Sequence, residues 1–230
     1  MEQSVQSLPV YKVRQKFLKL IRQNSVLVIS EATGSGKSTQ LPKFLYEARG
    51  LIHRNKMVGV TQPRRVAAVT VAKRVAQELG RGDLGSVVGY AVRFDNCTGP
   101  ATKIKYMTDG ILLREAMLNP LLTRYSVVFI DEAHERTLHS DILFGLLKGI
   151  LQKRPDDFKV VIMSATLEMD RFLRYFPGSK SLSIPGRQHP VQIYYPFEPC
   201  QDYVEAALTT AVQVNKSSTG LAMLLSLVSV

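Results

Sequence analysis

Ser25-Val-Leu-Val-Ile-Ser-Glu-Ala-Thr-Gly-Ser-Gly-Lys-Ser38 sets a short apolar run against a glycine-rich turn that ends in Lys and Ser. The run over 25–30 reads as a buried strand, and a helix over 37–48 follows the turn. Gly50 stands where a helix stop is expected. Glycines at such a turn let backbone N–H groups converge on a phosphate, and the helix N-terminus adds a positive dipole end. Lys37 is placed to reach β- and γ-phosphates, and the Ser38 hydroxyl to ligate Mg2+. The strict phosphate-loop pattern has Gly at position 31, where this chain has Glu31. A bare glycine turn is the plainer reading, but the strand–turn–helix context favours phosphate.

Working outward, strands are expected over 57–61, 86–92, 103–107, 126–131 and 160–163, with helices over 65–79, 109–118 and 142–151 between them. Fully apolar strands separated by helices predict an α/β fold with a mainly parallel sheet covered on both faces. Beyond about residue 180 the pattern changes. Strands are expected over 181–184 and 191–195, then a helix over 203–214, a linker-like 215–220 and the uncharged apolar 221–230. That last decapeptide has the profile of an aggregation-prone segment if exposed, or else of a final packed element.

The composition narrows the class. The chain has 230 residues, 45% of them apolar and 21% charged, which excludes wholesale disorder. No apolar run approaches the length of a membrane span, and the N-terminus lacks a basic start with an apolar core. Two cysteines, Cys97 and Cys200, are too few for a disulfide framework or zinc cluster and read as free thiols. An intracellular soluble domain with no membrane partner is therefore expected. Its net charge is +11, and residues 1–57 carry ten basic side chains against three acidic ones. Such an excess suits a polyanion, nucleic acid above all, or plain solubility.

Four further signals fall at expected strand ends. Asp131-Glu-Ala-His134 offers Asp131 to Mg2+ and Glu132 to an attacking water, or else opens a solvated helix. By itself Ser164-Ala-Thr166 reads better as a helix cap than as a functional motif. Thr61-Gln-Pro-Arg-Arg65 puts two guanidinium groups at a helix start, suited to nucleic-acid phosphate or to solvent. Thr108-Asp-Gly110, leading to Arg114, can hold a strand of nucleic acid or merely cap a helix. His139 reads as a helix-start residue. In a parallel sheet all these strand ends share one edge, which chance matches would not.

Together, Ala32–Ser38, Thr61–Arg65, Thr108-Asp-Gly-Ile-Leu-Leu-Arg-Glu115, Asp131-Glu-Ala-His-Glu-Arg136 and Ser164-Ala-Thr166 resemble motifs I, Ia, Ib, II and III of the DEAH-box RNA helicases of superfamily 2. Val88-Gly-Tyr-Ala-Val-Arg-Phe-Asp95 and Gly186-Arg-Gln-His-Pro190 resemble the same family, and the similarity runs from about Leu8 to Gly220. The resemblance implies a RecA-like P-loop domain that binds ATP and Mg2+ and grips RNA by its backbone. It implies that Thr33, Gly34, Ser35, Gly36, Lys37, Ser38 and Thr39 cradle the triphosphate and that Arg74 stacks on the base. Ser38 and Asp131 would serve the metal, and Lys37, Glu132 and His134 the reaction at the γ-phosphate. Ser164 and Thr166 would couple nucleotide to RNA, with Arg64, Arg65, Thr108, Asp109 and Arg114 on the RNA side. The likeness is greatest to members acting in ribosome biogenesis and splicing, which implies a nuclear or nucleolar setting and protein partners of the full-length enzyme.

Two departures qualify this. Glu31 puts an acidic side chain beside the triphosphate. The family's second RecA-like domain, with its Gln-x-x-Gly-Arg-x-Gly-Arg motif of arginine fingers, has no counterpart among these residues. The expected organisation is a RecA-like domain over 1–184, a trailing segment over 185–220 and a divergent tail over 221–230, as in a truncated or alternatively spliced product. Hydrolysis and unwinding are then expected to be lost or very weak. The alternatives are a non-catalytic regulatory or dominant-negative binding module, or an inert truncation product.

Overall fold

The computed structural model describes residues 7–31, 35–48, 50–52, 55–80, 83–164, 169–184 and 202–217, and the side chains among them other than those of 31 and 214–217. Thr33, Gly34, Thr166, Cys200, the strand expected over 191–195 and the tail over 221–230 lie outside the described residues.

Eight strands form one sheet: β1 (Val26–Glu31), β2 (Met57–Gln62), β3 (Val88–Val92), β4 (Asp95–Cys97), β5 (Ile104–Thr108), β6 (Tyr125–Ile130), β7 (Lys159–Ser164) and β8 (Lys180–Ile184), in the spatial order β4-β3-β5-β2-β6-β7-β1-β8. Every neighbouring pair is parallel except β3 with β4. Side chains alternate across the sheet, and both faces of its central strands are buried, so β1, β2, β6 and β7 are apolar along most of their length. Leu27, Ile29, Val58, Val60, Val127 and Phe129 face one core, and Val26, Val28, Val128, Ile130, Val160 and Ile162 face the other.

The first face is covered by α1 (Pro9–Lys12), α2 (Arg14–Gln23), α3 (Lys37–Glu47) and α4 (Arg65–Leu79). They contribute Val10, Phe17, Ile21, Phe44, Ala72 and Val75, among others. The second is covered by α5 (Asp109–Leu118), α6 (Leu138–Lys153) and α7 (Met169–Tyr175), through Leu112, Leu143, Phe144, Leu147, Ile150 and Phe172. Burying each such side chain is worth about 1.5–3 kcal/mol relative to leaving it exposed. The expected α/β fold, a mainly parallel sheet with helices on both faces, is the one observed.

Chain contacts divide the protein into two compact units, Met1–Arg187 and Gln188–Val230. The described part of the second is α8 (Tyr203–Ser217), capped by Asp202, whose Oδ1 accepts from the N–H groups of Val204 and Glu205 at 2.9 and 3.1 Å.

Candidate nucleotide and nucleic-acid site

Because the strands run parallel, the residues that follow β1, β2, β3, β5, β6 and β7 all emerge at one edge, where open α/β sheets bind ligands. The strand order then divides that edge. The ends of β6, β7 and β1 adjoin one another, and so do the ends of β3, β5 and β2. The first group carries Asp131, Ser164 and the glycine turn, the second Arg64, Arg65, Thr108 and Asp109.

On the first half, Gly36 caps α3 with φ +92°, a left-handed conformation that favours glycine. A Cβ there would meet Leu8 Cδ1 at 2.8 Å, so α1's leading residue also shapes the turn. Lys37 is 7% exposed, and its Nζ pairs with Glu132 Oε1 at 3.1 Å. Glu132 Oε2 lies 3.4 Å from His134 Nε2. Glu132 and Arg136 both have left-handed backbones (φ +49° and +47°), bracketing a 3-10 turn, Ala133–Glu135. Such strain in non-glycine residues persists only where surroundings hold it, and here it turns Glu132 toward Lys37.

Asp131 is 2% exposed. Its Oδ1 accepts the Glu132 N–H at 2.8 Å and its Oδ2 accepts from Gln62 Nε2. Burial pushes its pKa up, opposed by the Lys37 charge and the Ser38 hydroxyl and reinforced by the Glu132 charge. A buried carboxylate beside a serine hydroxyl is the hard-oxygen donor pair that Mg2+ takes, and the αL glycine at the N-terminus of α3 fits a phosphate beside it. Thr39 Oγ1 donates to the Gly36 carbonyl at 3.1 Å, and the buried Tyr106 hydroxyl donates to the Ser38 carbonyl at 2.8 Å. Ser35 and Ser164 are buried, Ser164 at the end of β7 in register with Ser30 of β1.

On the second half, Arg64 is exposed and bonds Glu135 Oε1 through Nη2 at 3.3 Å. Arg65 Nη2 donates to the Arg93 carbonyl at 2.8 Å. Arg93 and Phe94 form the tip of the β3–β4 hairpin, with Phe94 90% exposed, at φ +67° and 4.8 Å from the Arg93 guanidinium. Thr108 is half-buried and Arg114 exposed. Asp109 is the residue expected on the RNA side that lies deepest. It is 4% exposed, and its Oδ2 accepts from Thr137 Oγ1 at 3.4 Å. Burial raises its pKa, against the neighbouring hydroxyls of Thr61 and Thr137 and the His139 charge. It braces the loop after β6 from within.

Arg74 is half-exposed on α4, its Nε bonded to Glu78 Oε1 at 2.6 Å. Sequence reasoning passed over Glu78, Gln62 and Phe94. Gln62 and Phe94 both lay within quoted stretches, Thr61–Arg65 and Val88–Asp95, but neither was given a role of its own. Among the described residues no cluster of His, Cys, Asp and Glu suits a metal by itself, and no helix is long and apolar enough to cross a membrane.

Parallel strand ends that bring a lysine-bearing glycine turn to an Asp-Glu-Ala-His loop define a RecA-like helicase domain, and the sequence agrees. A profile described as DEAD/DEAH box helicase matches residues 11–173, and the chain belongs to that family. It is 50% identical over 217 residues to the Pre-mRNA-splicing factor ATP-dependent RNA helicase prp22 of Schizosaccharomyces pombe. That match covers 94% of this chain and 18% of the yeast protein, so the chain spans less than a fifth of that relative's length.

Proposed function

We infer that this chain is the ATP-binding domain of an ATP-dependent RNA helicase, taking Mg-ATP along the β6-β7-β1 half of the edge and RNA backbone along the β3-β5-β2 half. The observation that carries this is the Lys37–Glu132 pair at 3.1 Å, which joins the turn after β1 to the loop after β6. When bound, the metal neutralises phosphate charge. Ser38 and Asp131 are the residues that would hold it. Lys37 exchanges Glu132 for the triphosphate, and that exchange frees Glu132 to accept a proton from water. His134 keeps the Glu132 carboxylate oriented. Thr33, Gly34, Ser35, Gly36 and Thr39 line the phosphates, and Ser164 with Thr166 passes their state across the sheet edge. Arg64, Arg65, Thr108 and Arg114 take RNA phosphates, and Asp109 supports them from below.

Hydrolysis by these 230 residues on their own is expected near background, because arginine fingers from a second domain contribute about 10³–10⁵ in rate. The likeness to a splicing helicase supports pre-mRNA splicing as the setting and the nucleus as the location. The test is calorimetric binding of Mg-ATP to the chain and to Lys37→Ala. Wild-type binding and at least a tenfold loss in the variant are expected. Equal affinities would overturn the assignment of the phosphate loop.

A further inference from the structure

Glu78 is a carboxylate that the reading above leaves idle, yet it is among the most heavily bonded side chains in the protein. It lies on α4 with its side chain 6% exposed. Oε1 accepts from Arg74 Nε at 2.6 Å, while Oε2 accepts from Gln40 Nε2 at 2.7 Å and from Lys43 Nζ at 3.0 Å. Gln40 Nε2 also donates to Thr39 Oγ1 at 2.9 Å, and its Oε1 accepts from the Tyr11 hydroxyl at 3.2 Å. Burial pushes the Glu78 pKa up, but the bonds from Arg74, Gln40 and Lys43 outweigh it and hold the group below the usual carboxylate value. An ionised carboxylate thus runs from the helix of the phosphate loop to a guanidinium that is 53% exposed.

We propose that Glu78 is a positioning residue for nucleotide binding, fixing Arg74 beside α3 so that the guanidinium plane meets the base of a bound nucleotide; this rests on the phosphate-loop reading above. The resemblance implies that Arg74 stacks on the base, and its bonding suits a base better than a phosphate. A guanidinium grips phosphate best through two parallel N–H bonds, and the Arg74 Nε is already committed to Glu78. The side chain is 53% exposed, and the flat face of a guanidinium is the part that stacks on aromatic rings. Gln40 and Thr39 tie the same carboxylate to Gly36, so the base contact and the phosphate contact keep a fixed spacing.

The test compares two ligands on the full chain, Mg-ATP and Mg-tripolyphosphate, the second lacking sugar and base. Glu78→Gln is expected to weaken Mg-ATP about five- to tenfold while leaving tripolyphosphate within about twofold of wild type. Arg74→Ala should give the same pair of results, and the double variant should lose no more than either single one. Lys43 is buried against Glu78, so if Glu78→Gln does not fold, the Lys43→Met/Glu78→Gln pair, which removes both charges together, replaces it and is compared with wild type. Equal weakening of both ligands would mean that Glu78 only braces α3, and unchanged Mg-ATP affinity would mean that it does not set Arg74. Either result overturns the proposal. Failure of the phosphate-loop reading shows separately, as Lys37→Ala binding both ligands like wild type.

Discussion

Asp157 shows how much one partly exposed carboxylate can hold. Just past α6 it accepts from Arg154 Nε at 3.0 Å through Oδ1 and from Arg154 Nη2 at 2.9 Å through Oδ2, and it also pairs with Lys56. The Arg154 guanidinium, 8% exposed, is bound besides to the carbonyls of Leu121, Leu122 and Tyr125 at 2.7, 3.0 and 3.0 Å. Arg154 thereby ties the end of α6 to the entry of β6. The Arg154 and Lys56 hydrogen bonds hold the Asp157 pKa well below its ordinary value of 3.8. A depressed carboxylate lends stability above its unfolded pKa and loses it as pH falls through the folded value. Asp157→Asn should therefore lower the melting temperature at pH 7, and the gap to wild type should narrow below about pH 4. The side chain is 38% exposed, so solvent screening leaves about 1 kcal/mol, or roughly 2–4 °C. Calorimetric melting from pH 7 to 3 checks this, and a gap independent of pH would sink it.

The elements were unevenly legible. Helices over 65–79 and 109–118 match α4 and α5 end for end, because their periodicity is closed by Gly80 in one case and opened by Thr108 in the other. Helix α6 begins four residues before the expected 142, since its leading Leu138 is 74% exposed and gives no core signal. Its true start is the Thr137 cap, which accepts from the Ser140 N–H at 3.1 Å. Helices α1 and α2 went unread behind their basic side chains, although Val10, Phe17 and Ile21 are fully buried. Strand β4 is only Asp95, Asn96 and Cys97, too short for a pattern, and it packs so close to β3 that a Cβ on Gly89 would stand 2.4 Å from the Cys97 carbonyl. The hairpin it closes carries the prediction for this scale. Phe94 offers an exposed ring to a base, whereas Arg64 offers a charge to a phosphate. Phe94→Ala should weaken binding of a single-stranded oligoribonucleotide by about 1–3 kcal/mol with an unchanged salt slope. Arg64→Ala should reduce the slope of log affinity against log salt by about 0.7. Titrations at several salt concentrations separate the two, and identical slopes in both variants would refute the division of labour.

Each motif was legible as a strand end, and so as a point on one sheet edge, but strand order is a long-range property that no local pattern encodes. That order brings the two halves of the edge side by side, because β6 lies between β2 and β7. Asp131 of the β6-β7-β1 half is bonded by Gln62 of β2, and Glu135 of the same loop by Arg64 of the β3-β5-β2 half. A third link runs inside the protein. Buried Asp109, at the end of β5, accepts from Thr137, the residue that closes the Asp131–Arg136 loop onto α6. If the two halves hold nucleotide and RNA as proposed, a brace that joins them is expected to make each site bias the other reciprocally, RNA tightening nucleotide binding by the same factor as nucleotide tightens RNA binding. Asp109→Asn keeps the shape and removes the charge that burial makes costly, so each ligand alone should bind within about twofold of wild type. The coupling factor, expected in the range of about 5–150 for allosteric pairs, should fall toward one. Mg-nucleotide titrations with and without saturating oligoribonucleotide measure it directly. If the variant lost affinity for each ligand separately while keeping the wild-type factor, Asp109 would be a local contact and the two halves of the edge would communicate through Gln62 and Arg64 instead.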